Sequence, residues 1–269
     1  MKMSVLILAT LCFASPISRL GSLPLAKQSI KAKKEKLEGI PPFQSPNKYL
    51  DESEAVAHIF KGLSSRFKPI KKEQLSAAFS ARSFLPEEHL NRIDAINTVG
   101  IKLLDDDQSY GVGIFSKGDL FSSEQLKVLN NMPYSTNFVV DIHADRHDPT
   151  KGNFKGEDHY TPHFSLVPEV QAEYKLGLGA LYAFLRANCE KEIDLIDEDK
   201  LGPGRIYIKV GIDGKLTDVE LKSSSRQAAL DQRVLELMRS LPGEWKVAEA
   251  ADGSKVEQEL VLFFGILGC

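Results

Sequence analysis

The sequence predicts an α+β fold. A C-terminal α-β-β-α-β unit, with two helices on a three-stranded antiparallel sheet, follows a smaller α+β region. Three observations in the segment 204–264 carry that expectation. Ile206, Ile208, Val210 and Ile212 recur with a period of two, as one face of a half-buried strand requires. Asp213-Gly214 follows at once and suits the positive φ angles of a two-residue type I′ hairpin turn. Leu230, Val234, Leu237, Met238 and Leu241 then recur at helical spacing.

The remaining elements of this unit follow from the same patterns. Leu178, Leu181, Tyr182 and Leu185 mark its first helix. Past the hairpin turn, Leu216, Val219 and Leu221 form the partner strand, and the shift of apolar phase between 216 and 219 predicts a bulge. Ser223, Ser224 and Ser225 supply capping hydroxyls for the second helix, which Pro242-Gly243 stops. After a turn at Asp252-Gly253, Val256, Leu260, Leu262 and Phe264 share one face of the last strand, while Val261 and Phe263 make its centre apolar on both.

Upstream, Ala55, Ile59, Phe60 and Leu63 predict a helix, Leu75, Ala78 and Phe79 a second, and Pro86-Glu87-Glu88 the start of a third. Strands are expected over 99–104, 110–116 and 138–142, with a helix over 122–132. Residues 146–163 hold Pro149, Gly152, Gly156 and Pro162 and few apolar side chains, which reads as a linker. The expected organisation is a signal peptide (1–14), a flexible linker (15–50), an α+β region (51–145), a linker (146–163) and a C-terminal domain (164–269).

Pro168-Glu169, Tyr174, Gly177, Gly204-Arg205-Ile206-Tyr207, Asp213-Gly214, Leu230-Asp231, Leu241-Pro242, Trp245 and Asp252-Gly253 follow one another at consistent spacing. In this the C-terminal part resembles the C-terminal domain of TonB, the periplasmic part of the Gram-negative energy transducer. The chain departs from that pattern in three places. Leu176-Gly177-Leu178-Gly179 stands for paired glycines, Val247 for a proline, and the acidic run from Ile193 to Asp199 for a Tyr-Pro segment that contributes to receptor contact in the family. The resemblance implies an envelope partner, an outer-membrane TonB-dependent receptor or a protein associated with one. It implies strand addition at an accessible final strand, with Val256, Gln258, Leu260 and Leu262 as the partner-binding edge.

Leu85-Pro86-Glu87-Glu88, Ile93 to Ile96 and Tyr110 to Lys117 are similar to the plug segment of TonB-dependent receptors. The strand, strand, helix, strand order over 99–142 also reads as a degenerate copy of the C-terminal unit. Leu126, Val128, Leu129 and Met132-Pro133 then align with Leu235, Leu237, Met238 and Leu241-Pro242. An unrelated small α+β domain is the third reading, and the three stay open.

Met1-Lys2-Met3 and the apolar run that ends at Ala14 have the form of a cleaved secretory signal, well short of the ~20 residues that span a bilayer. Leu11 precedes Cys12 where lipidation normally requires a small residue. The expectation is a periplasmic or secreted, non-enzymatic protein-interaction module with no transmembrane span after cleavage. A TonB-type energy transducer, which would keep the N-terminal segment as an anchor, is an alternative. A formal net charge of −3 gives no general reason to bind nucleic acid, and Lys27, Lys31, Lys33, Lys34 and Lys36 read as a solvated linker.

The sequence contains no G-x-S-x-G, H-E-x-x-H, C-x-x-C or P-loop motif, so neither catalysis nor a cofactor is expected. Asp231 reads as a helix-face residue and Trp245 as a packing residue. His143, His147, His159 and His163 form two H-x3-H pairs beside Asp141, Asp145, Asp148, Glu157 and Asp158. Pro149 and Pro162 oppose the helix that would align each pair, and on a strand the paired rings would lie ~13 Å apart. A hydrophilic loop without metal is therefore expected, and a metal-binding protein using these histidines is the second alternative. Removal of Cys12 with the signal leaves Cys189 and Cys269, which permits one disulfide in an oxidising compartment. Mass spectrometry of protein taken from its native envelope should find a chain that begins at Ser15; an intact Met1 in the membrane fraction would instead point to a retained anchor.

Overall fold

The computed structural model describes residues 59–266, apart from 106–108, 111–112 and 149–153. The expected signal peptide and N-terminal linker, Cys12 and Cys269 lie outside these residues. The first half contains β1 (Phe60–Ser64), β2 (Lys68–Lys71), α1 (Lys72–Ala77), α2 (Glu87–Leu90), β3 (Ile93–Asp105), β4 (Ser109–Tyr110), β5 (Ile114–Lys117), α3 (Ser123–Asn131), β6 (Asn137–Asp148), β7 (Phe154–Tyr160) and β8 (His163–Val167). The second contains β9 (Glu173–Tyr174), α4 (Gly177–Asn188), α5 (Glu190–Asp194), β10 (Pro203–Val210), β11 (Leu216–Ser223), α6 (Ala228–Arg239), β12 (Trp245–Lys246), β13 (Ala248–Glu249), β14 (Lys255–Val256) and β15 (Gln258–Gly265). The fold is mixed α+β, with several antiparallel sheets and short helices.

In the second half the apolar patterns of β10, α4 and α6 act as expected except at Ile212, which lies past the end of β10 and is 57% exposed. Ile206, Ile208 and Val210 of β10 and Leu260, Leu262 and Phe264 of β15 enter one core with Leu181 and Leu185 of α4 and Leu230, Val234, Leu237 and Met238 of α6. The β10–β11 register slips between Lys209↔Asp218 and Val210↔Leu216, which places the bulge at Thr217. The turn differs from expectation. Gly214 has φ 76°, but Asp213 is not among the positive-φ residues, and Gly211 N–H donates to Lys215 O at 2.8 Å. A five-residue loop results, where a type I′ turn would need positive φ at both central residues. Val256 belongs to the small β13–β14 hairpin, opposite Ala248, and β15 begins two residues later.

The serine cluster also works differently. The N-cap of α6 is Gln227, without a side-chain capping bond. Ser224 Oγ donates to Asp231 Oδ2 at 2.5 Å, and Ser225 Oγ and N–H donate to Asp231 Oδ1 at 2.6 and 2.9 Å. Asp231, only 4% exposed, therefore anchors the loop to the helix from inside, because a buried carboxylate needs its acceptor positions filled.

The sheet of the second half has four strands, in the order β1-β15-β10-β11, instead of three. Its outer strand β1 comes from the far end of the described chain: Phe60 pairs with Phe264, Leu63 with Leu262 and Ser64 with Val261. The helix expected over Ile59, Phe60 and Leu63 is thus a strand, because β15 offers a long-range pairing that local apolar spacing does not reveal. Ile59 and Phe60 are buried in the second core, each contributing roughly 2 kcal/mol of apolar burial.

The first half repeats this order. β3 pairs with β5 and with β6 through the same residues, Thr98 to Ile101, so β5 and β6 flank it. β8 then lies beside β6. The run β5-β3-β6-β8 matches β11-β10-β15-β1, with α3 and α6 in the same place along the chain. β2 pairs in parallel with the other side of β8 and closes the first sheet there, whereas β1 closes the second. The described residues of the expected linker over 146–163 are mostly strand: the end of β6, β7 paired back on it, and the start of β8, with 149–153 outside the described residues. Its polarity reflects an edge strand with one solvated face.

Asp231→Ala should lower unfolding stability by about 3 kcal/mol in urea titrations, because it strands the buried N–H and hydroxyl of Ser225, and Ser224→Ala by about 1 kcal/mol or less, because Ser224 is exposed.

Candidate functional site

The alternation of β6 builds the most concentrated group of functional side chains among the described residues. Phe138, Val140, Ile142 and Ala144 point into the first core, so Val139, Asp141, His143, Asp145 and His147 occupy the opposite face. β7 sets His159 directly opposite His143, and β3 sets Gly100 opposite Asp141. The two imidazole rings stack with centroids 4.2 Å apart and planes 13° from parallel. His159 Nε2 hydrogen-bonds Asp141 Oδ1 at 2.7 Å, and His143 Nε2 lies 3.2 Å from the same atom.

The other carboxylate oxygen is taken by Lys102, whose ammonium bonds Asp141 Oδ2. A Cβ added to Gly100 would come within 2.4 Å of the Phe115 ring. That close approach lays Phe115 against the sheet beside Asp141, with Lys102 Nζ 5.3 Å from its centroid. Asp141 is 3% exposed, whereas the side chains of His143 and His159 are 50% and 51% exposed. Burial alone would push the Asp141 carboxyl up. Hydrogen bonds from Lys102 and His159, with the charges behind them, outweigh that burial and hold the group below its ordinary range. One oxygen and two imidazole nitrogens, all within 4.8 Å of one another, could hold a metal ion.

The histidine pairs read along the sequence are therefore redistributed. His147 Nδ1 lies 2.6 Å from Asp94 Oδ1, and His163 Nδ1 lies 2.7 Å from Thr161 O. The expected hydrophilic loop is a hairpin, and pairing runs across strands. Lys102 was not anticipated at all. Regular alternation of apolar and polar residues over 138–145 was the available signal for β6, but the register that brings in His159 was not.

The expected partner edge is also corrected. Leu262 pairs with Leu63 on one side and Ile206 on the other, and Gln258, Leu260 and Leu262 are buried at 1%, 4% and 0% exposure. Beyond the reach of β1, Glu259 N–H donates to Ser135 Oγ at 2.8 Å. This contact borders a cavity of about 250 Å³ lined by Tyr134, Ser135, Thr136, Lys209, Glu257 and Glu259. Among the described residues no strand pairs with the outer side of β11. On β11 an ion pair of 2.6 Å joins Glu220 and Lys222, and Val219 O accepts from Arg239 Nη2 at 3.2 Å. Cys189, at the end of α4, is fully buried, and that burial, with Glu192 nearby, pushes its thiol up to about 11. No family model, curated protein or solved structure matches the chain.

Lys102→Met should cost about 2 kcal/mol at pH 7, since it leaves Asp141 buried without its cation. A carboxyl with a depressed folded pKa contributes stability above its unfolded value near 3.8 and loses it as the pH falls through the folded value. The gap between wild type and variant in urea titrations should accordingly narrow from pH 7 to pH 2.

Proposed function

We propose that this chain is an exported, non-enzymatic protein-interaction module of the TonB C-terminal-domain type. It takes up an extended segment of an envelope partner by strand addition, and the receiving edge is β11. The order helix, hairpin, helix, strand in the second half supports the family reading, and the N-terminal apolar run supports export. The observation that carries the proposal is the outer side of β11: eight residues of extended backbone beside which no described strand lies. β15, the edge implied by the resemblance, is interior and is withdrawn as the binding edge.

Strand addition pairs unmatched N–H and C=O groups with a partner backbone and leaves specificity to alternate side chains. Asp218, Glu220 and Lys222 place both signs of charge along β11, which discourages indiscriminate pairing and favours a partner segment of complementary pattern. An outer-membrane receptor or a protein associated with one fits this role. A photo-crosslinking residue at 218 or 220 should capture one and the same envelope protein, and the same probe at exposed Lys191 should not. If the partner is recovered in pull-downs but never crosslinks from β11, binding at this edge is excluded.

A further inference from the structure

We propose that Asp141, His143 and His159 form a binding site for one divalent transition-metal ion, with zinc(II) the best match. The site lies on the solvent-facing side of the first sheet and is independent of the strand-addition reading. Two imidazoles and one carboxylate are a donor set that suits a borderline ion, and three protein ligands leave a fourth position for water.

The geometry supports this over a simple ionic cluster. Tetrahedral donors about 2.0–2.1 Å from zinc lie about 3.3 Å from one another. Asp141 Oδ1 already stands 3.2 Å from His143 Nε2 and 2.7 Å from His159 Nε2. Admitting the ion widens the second gap by roughly half an ångström, which half-exposed rings can supply by small side-chain rotations. The anchor does not need to move. Asp141 is buried, and Lys102 occupies Oδ2, so Oδ1 alone faces the imidazoles and the carboxylate would bind through one oxygen. Lys102 thereby plays the part that outer-shell partners play at metal sites, fixing a ligand from behind. The Nε2 atoms of both rings lie within 3.2 Å of the same oxygen, so one ion placed there would reach all three donors.

The hairpin register provides the rigid scaffold. His143 and His159 are a directly opposed cross-strand pair, and Asp141 lies two residues before His143 on the same face of β6. Binding would tie β7 to β6 at a second point besides the ladder hydrogen bonds.

Calorimetric titration of zinc(II) into the full-length, metal-free protein at neutral pH tests the proposal. The expected result is a dissociation constant of about 10 µM or tighter, weakened at least tenfold by His143→Ala and by His159→Ala. His147→Ala, whose imidazole pairs with Asp94, should leave the affinity unchanged. Cobalt(II) should report the same site by visible absorption of tetrahedral type, lost in His159→Ala. Far-UV circular dichroism should be preserved in the variants, because both rings lie at the surface. Affinity weaker than 10 µM in the wild type, or equal affinity and stoichiometry in wild type and the His143→Ala/His159→Ala double variant, overturns the proposal.

Discussion

The pairing of β1 with β15 is the contact on which the rest of the architecture depends. Without it, β15 would present a row of unpaired N–H and C=O groups beside an apolar core, the kind of edge that recruits other chains. With it, Leu262 sits between Leu63 and Ile206, and Ile59 and Phe60 complete the second core. In the first sheet β8 holds the corresponding place beside β6, and β2 covers its other side. The second half is therefore finished by a segment that precedes the first, and the two cannot be treated as separable beads on a linker.

This interlocking explains which parts of the fold were legible in the sequence. β10, β11 and α6 follow from periodicity within a window of a few residues, and the bulge at Thr217 from a phase shift inside one strand. Around β1, Ile59, Phe60 and Leu63 fit a helical stripe, and nothing local announces Phe264 as a partner. The polar edge strand of the β6–β7 hairpin resembles a linker in composition, although Val140, Ile142 and Ala144 alternate as a strand should.

The histidine cluster shows the same boundary in chemical terms. Residue types pointed to imidazole and carboxylate chemistry, but spacing along the chain paired His143 with His147 and His159 with His163. A strand separates such positions, and the antiparallel ladder reunites His143 with His159 instead. Lys102 enters from β3, more than a hairpin away in sequence, and determines which carboxylate oxygen remains available. Burial of Asp141 beneath exposed rings gives a fixed oxygen under adjustable nitrogens, a division of labour set by the face of one strand.

The closure by β1 has a consequence for biosynthesis. Phe60 leaves the ribosome long before its partner Phe264, so the second sheet cannot close until all the chain between them has been made. Closing so long a loop is entropically costly and slow relative to forming helices or hairpins. Until then β1 has no partner, although the first half can assemble its own sheet and core without it.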